Sequence, residues 1–186
     1  MKKLTFFSGM AIIATTILTL QSCSKVAKLL QYDIPLQSGS VTITIPATSD
    51  TSAAIFGSGA NSINVDSVIK ANTGNVLGVS NITSVKLTSA TLTLQNSTDS
   101  NNFANFKSCY GSVSSNSNTT PYVLNIANNP DVTSNTLNLP VDANAELKGY
   151  LSGTQFNYAA GGVLRRPTTI SLTCTIQFNF TMHVQG

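Results

Sequence analysis

Imidazole is the side chain that titrates nearest neutrality, and this chain has a single one, His183. It stands in the closing stretch "TTISLTCTIQFNFTMHVQG", with no Asp, Glu or Cys within five positions. A lone histidine excludes multi-histidine metal sites built from this chain alone. A Ser-His-Asp triad would need a serine and a carboxylate beside it in the fold, and no G-x-S-x-G turn occurs to present a nucleophile. The residue reads as an ordinary histidine on a polar face.

Other residue types offer weaker chemistry. Ser67 and Lys70 match S-x-x-K, a nucleophile-and-lysine spacing, but its S-D-N and K-T-G companions are missing. Asp142 and Glu146 open like a calcium loop, yet Leu147 stands where the turn needs Gly and no Glu closes the loop. With Asp131 they remain loose loop carboxylates, and no metal or cofactor is expected. Arg165 and Arg166 follow Phe156 and Tyr158 by a few positions. Guanidinium forks beside an aromatic ring suit an acidic glycan or a phosphate, so Tyr158, Arg165 and Arg166 are candidate ligand-binding residues. The bland alternative is a solvated basic loop. Gly57-Ser58-Gly59 has no third glycine and reads as a turn. Titratable groups are too few to cluster into a catalytic site, so an enzyme is not expected.

Composition narrows the class. The chain has 186 residues, enough for one domain. Charged residues are 9% of it, while Asn, Ser and Thr supply 66 residues, so amides and hydroxyls make the surface polar. Apolar residues at 41% suffice for a core. Lys2 and Lys3 aside, eight basic side chains face seven acidic ones. That balance gives no electrostatic case for nucleic acid.

The elements that must position these residues are strands. Every even position from Ile170 to Val184 is apolar and every odd one between is polar, the period-2 pattern of a half-buried strand. Fifteen residues would span about 50 Å, so this strand is either long or bent and is the principal strand of the core. Ile34 and Leu36 alternate on one parity and Val41, Ile43 and Ile45 on the other, with Gly39 at the change, which predicts a bulge. A second parity change predicts a bulge near Thr88–Ser89. Val65, Val68 and Ile69 are spaced for one short helix ended by Gly74, and "GGVLRRP" reads as a loop. About eight strands with turn signals between them predict an all-β fold, an antiparallel β-sandwich of jelly-roll or immunoglobulin-like type.

The N-terminus carries an address. "MKKLTFFSGMAIIATTILTLQSC" has a basic start, an apolar run and then Leu20-Gln21-Ser22-Cys23. It resembles a bacterial lipoprotein signal peptide, whose lipobox has an aliphatic residue at −3, a small one at −1 and an invariant cysteine. Leu20, Ser22 and Cys23 match. The resemblance covers only the first 23 residues and implies a signal peptide over residues 1–22; a lipidated tether over 23–31 then leads into the sandwich domain that the strand pattern predicts over 32–186. It makes Cys23 the lipidation site and the membrane a partner through acyl chains. Ser24 rather than Asp follows the cysteine, which favours the outer membrane, and the lack of an acidic run favours its periplasmic face. Cys109 and Cys174 then remain, able to form a disulfide in an oxidising compartment or to stay as two buried thiols. Asp66-Ser67-Val68 is similar to a bacterial O-glycosylation acceptor, with Ser67 the acceptor.

These features predict a non-enzymatic, lipid-anchored envelope protein acting as a structural or interaction module. One alternative is a sandwich that binds a glycan or small ligand through its loops. Another is a subunit that lends its last strand to a neighbour, since fimbrial subunits are similar in joining a lipoprotein precursor to a strand-exchanging sandwich.

Overall fold

A computed structural model describes residues 30–52 and 54–186. The lipobox, Cys23 and the tether up to residue 29 lie outside the described residues.

The apolar stripe of the last strand sets the architecture. Strand β8 (Leu172–Gln185) alternates without a break, and its seven inward residues from Leu172 to Val184 are all buried. It is hydrogen-bonded on both sides, antiparallel to β1 (Gln31–Ile45) and to β3 (Ile82–Leu94). It is therefore a central strand, about 45 Å long at roughly 3.3 Å per residue. Ile170 does not belong to it: that side chain is 37% exposed, ahead of the strand.

Among the described residues, eight strands form two four-stranded sheets, ordered β1-β8-β3-β6 and β2-β7-β4-β5. The second sheet contains β2 (Ala54–Ser62), β4 (Phe106–Ser115), β5 (Tyr122–Ile126) and β7 (Gln155–Leu164). Strand β6 (Thr136–Asn138) completes the first. Only β4 and β5 are successive strands within one sheet; every other connection crosses between sheets. This order is a jelly-roll and decides between the two sandwich types. Helix α1 (Val65–Asn72) and the single turn α2 (Lys148–Leu151) lie in the connections.

Both expected bulges are present, as register shifts between Gln37 and Ser40 and between Leu87 and Ser89. Gly39 takes φ +74° at the first, a conformation that favours glycine. Helix α1 begins where Asn64 Oδ1 accepts the Ser67 N–H at 2.9 Å, and it ends at Thr73, ahead of Gly74 at φ +61°.

Two sequence expectations are overturned. Gly57-Ser58-Gly59 is not a turn but the middle of β2, opposite Ala160, Ala159 and Tyr158 of β7. A Cβ on Gly57 would lie 2.6 Å from the Thr44 carbonyl oxygen of β1, and one on Gly59 2.6 Å from Val41 Cγ1. The glycines let the two sheets close along their β1/β2 side. The residues Gly161 to Leu164, expected in a loop, are the end of β7, paired with β2 and β4.

β6 pairs only Thr91–Thr93 of β3, leaving the rest of that edge to the chain after it. Leu139 N–H donates to Ala90 O at 2.9 Å and Leu147 N–H to Val85 O at 3.0 Å. Glu146 Oε1 accepts the Val85 N–H at 2.8 Å. An open edge is thereby closed to foreign strands.

Two poles result. β1 enters beside the end of β8, with Gly186 N–H donating to Leu30 O at 3.1 Å. Asn81 donates to Gln185 O at the same pole, and Asp66 of α1 accepts the Val79 N–H there. The opposite pole, where β8 begins, gathers loops 95–105, 127–135 and 165–171. They are joined by Asn96 to Ser171 and Thr173, and by Asn101 to Thr169.

Candidate functional site

The loop pole is built on asparagines. Asn101, Asn102, Asn105 and Asn129 are buried there, and a buried amide must spend its donors and acceptor locally. Asn102 Nδ2 donates to Thr98 O and Asp99 O, and its Oδ1 accepts the Ala104 N–H. Asn105 Nδ2 donates to Ser100 O and Pro167 O, while its Oδ1 accepts the Asn102 N–H. Asn129 Nδ2 reaches Phe103 O and Phe106 O. Three loops of little intrinsic order are thus fixed to one another. Thr98 and Asn101 exchange backbone hydrogen bonds at 2.9 and 3.1 Å, so Asp99 and Ser100 form the two-residue tip of a tight turn.

Above this floor lies a pocket of about 570 Å³. Its walls carry Asp99, Ser100, Asp131, Thr133 and Arg166. Arg166 contacts Asp131 through both terminal nitrogens and donates to Ala104 O at 2.9 Å. Arg165 Nη1 lies 3.4 Å from Asp131 Oδ1. Its guanidinium also donates to Ala104 O and Asn129 O. Asp131 therefore offsets one of the pair's two positive charges, and the two guanidiniums hold loop 127–135 against the β7–β8 connection.

The structure divides the sequence candidates. Arg165 and Arg166 come together, but Tyr158 does not join them. It lies inside the sandwich, 1% exposed, with its ring 5.8 Å from that of Phe178. Burial pushes its hydroxyl up to about 12, with Ser38 opposing. It offers no aromatic platform to a ligand. An anionic ligand would also have to displace Asp131 from both arginines. Asp131 itself, the strongest signal of the site, was legible only as one of several loop carboxylates, because its partners are some 35 residues away.

Cys109 and Cys174 are free, buried thiols on the inner faces of β4 and β8. No bridge joins them in this structure. Burial pushes both thiols up to about 12, and in Cys109 the neighbouring Cys174 adds to the shift. Ser67 is exposed on α1, at the pole where the chain enters. Lys70 pairs with Asp66 at 2.7 Å. That bond first, and the Val79 N–H second, hold the Asp66 carboxyl below its ordinary value.

The loose carboxylates do not assemble. Asp142 accepts the Asn144 N–H, and Glu146 is engaged by Ser84, Val85 and Lys148. Among the described residues no three His, Cys, Asp or Glu side chains stand together as metal ligands. Among them, too, no helix is long and apolar enough to cross a membrane.

His183 has the company that its sequence neighbourhood lacked. Its Nδ1 is 2.7 Å from Asp33 Oδ1 across β1 and β8, and Ser84 stands opposite it on β3. Asp33, His183 and Ser84 form one row across three strands, with the residue types of a triad. The chemistry is not that of one. Ser84 Oγ donates to Glu146 Oε2 at 2.7 Å rather than to the imidazole. His183 also lies on a central strand paired on both sides.

No protein-family model matches the chain, and no curated protein matches its sequence. The solved structures it is similar to include viral ones. A structure of Desmodium yellow mottle tymovirus is 12% identical over 83% of this chain and 90% of that one, with a TM-score of 0.26. Turnip yellow mosaic virus is 13% identical over 84% and 82%, at 0.29. Israeli acute paralysis virus is 10% identical over 87% and 77%, also at 0.29. At such TM-scores the likeness carries nothing about function, and the jelly-roll assignment rests on strand order alone.

Proposed function

We propose that the protein is a non-enzymatic, lipid-anchored module of the bacterial envelope, held by Cys23 and binding through its far pole. The observation that carries this reading is the opposition of the two poles. The chain enters the sandwich at Leu30 beside Gly186, and the polar pocket lies at the other end of β8, about 45 Å away. A tether joined at Leu30 would leave the pocket pointing away from the bilayer. The Leu20-Gln21-Ser22-Cys23 lipobox supplies the anchor in this proposal, and two or three acyl chains bind a membrane stably. Ser24 favours the outer membrane, with the body on its periplasmic side. There the partner is an envelope protein or glycan.

A self-contained module is also supported over strand exchange, because β8 is paired on both sides and covered on its inner face. Metabolic labelling with a palmitate analogue tests the anchor. The parent protein takes the label and fractionates with membranes; Cys23→Ala does neither. Undiminished labelling of Cys23→Ala contradicts the proposal.

A further inference from the structure

The pocket at the loop pole has three properties that together select a ligand. Its charges are balanced: Asp131 is shared by Arg165 and Arg166, and Asp99 is the remaining carboxylate on the wall. Formal charge over these four side chains sums to zero, so the site has no excess of positive charge to hold an anion. Its unengaged groups are hydrogen-bonding ones. Neither Asp99 nor Ser100 nor Thr133 uses its side chain in a hydrogen bond or ion pair within the described residues, and all three are exposed on the pocket wall. Its floor is prearranged, because the side-chain donors of Asn102 and Asn105 are spent on backbone carbonyls. A preformed polar cleft binds without the cost of ordering its own loops.

We propose that the pocket lined by Asp99, Ser100 and Thr133, with the Arg166–Asp131 pair as its side wall, binds a neutral saccharide. This rests on the module reading above and names its ligand class. One carboxylate acceptor and two hydroxyls, each able to donate and accept, match the vicinal hydroxyls of a sugar ring. The chain has no Trp and the pocket no aromatic wall, so recognition is by hydrogen bonding rather than by stacking. The pocket, about 570 Å³ in volume, accommodates one or two sugar rings.

The test uses the full-length lipidated protein in sugar-free amine-oxide micelles, screened against an array of neutral and acidic oligosaccharides. Sodium phosphate and calcium chloride are titrated separately. The expected result is saturable binding of a neutral oligosaccharide, with amide shifts confined to Ser100, Asn102, Thr133 and their neighbours. Asp99→Asn weakens binding about tenfold, as loss of a charge-assisted hydrogen bond should. Because the Asp99 side chain has no partner among the described residues, this variant keeps the parent melting temperature. Thr133→Val supplies a second, independent loss. Three results overturn the proposal: no neutral oligosaccharide bound above the level of Asp99→Asn, preferential binding of phosphate, calcium or acidic sugars, or shifts located elsewhere. Palmitate labelling of Cys23 is indifferent to all three, so failure of the ligand and failure of the anchor are separate outcomes.

Discussion

Arg166 grips Asp131 with both terminal nitrogens of its guanidinium, a two-point contact that fixes plane as well as distance. It ties the β5–β6 loop to the β7–β8 connection and offsets one of the two charges that an anion would seek. The side chains are half exposed, so solvent screens the pair and it contributes at most about 1 kcal/mol. Asp131→Asn is expected to lower the melting temperature by about 2–4 °C. The same variant leaves two guanidiniums without a countercharge. Inorganic phosphate should then stabilise Asp131→Asn in a thermal-shift assay while leaving the parent unmoved. Equal phosphate response in both proteins would show that Asp131 does not screen the pair from anions.

The sheets close over Gly57 because nothing projects from it. A Cβ there would meet the Thr44 carbonyl oxygen at 2.6 Å, and a backbone atom in a paired strand cannot move aside cheaply. Gly57→Val is expected to cost about 2–3 kcal/mol, read as a lower denaturant midpoint at unchanged slope. Ser58→Val, one residue on and facing solvent, should cost less than about 0.5 kcal/mol.

Glu146 stands in for a strand at the open edge of β3. Burial pushes its carboxyl up, but hydrogen bonds from Ser84, Val85 and Lys148, with the charge of Lys86, outweigh this and hold it below its ordinary value of 4.5. A carboxyl depressed in the folded state adds stability that is complete above the unfolded value and is lost as pH falls through the folded one. The contribution should therefore be present at neutral pH and decline below about 4.5. Glu146→Gln should be less stable by about 1 kcal/mol at neutral pH, a figure already reduced for partial exposure. The gap to the parent should narrow as the pH is lowered through that range. A gap constant from neutrality to strong acid would contradict the role.

Cys109 and Cys174 are buried and held as thiols, with burial pushing both up to about 12. Reactivity follows thiolate fraction and access. Maleimide at pH 8 should label neither in the folded protein and both after guanidinium unfolding without reductant. Labels appearing only after reduction would instead reveal a bridge.

Much of this fold is legible in the sequence wherever apolar side chains make the contact. The β8 stripe, the bulges at Gly39 and near Ser89, and the helix over Val65 to Asn72 all show as changes in hydrophobic period. β2 is hidden because its inward positions include Gly57 and Gly59, whose contact with β1 is made by the absence of side chains. The site is less legible still. Asp33 and His183 are 150 residues apart and meet only through strand register. Tyr158 is only seven residues from Arg165, yet it lies inside the sandwich while the arginines stand at its pole. The pocket floor is built from asparagines, a residue type so common here that no single one stands out.

The proposed anchor and the pocket stand at opposite poles, which sets an orientation on the membrane. Buried native thiols permit single surface labels, so a fluorophore can be placed at Ser67→Cys on α1 or at Ser100→Cys on the pocket rim. The lipidated protein is then inserted into vesicles that carry a headgroup quencher. Strong quenching at position 67 and little at position 100 is the predicted result. Equal quenching at both, or stronger quenching at position 100, would contradict it.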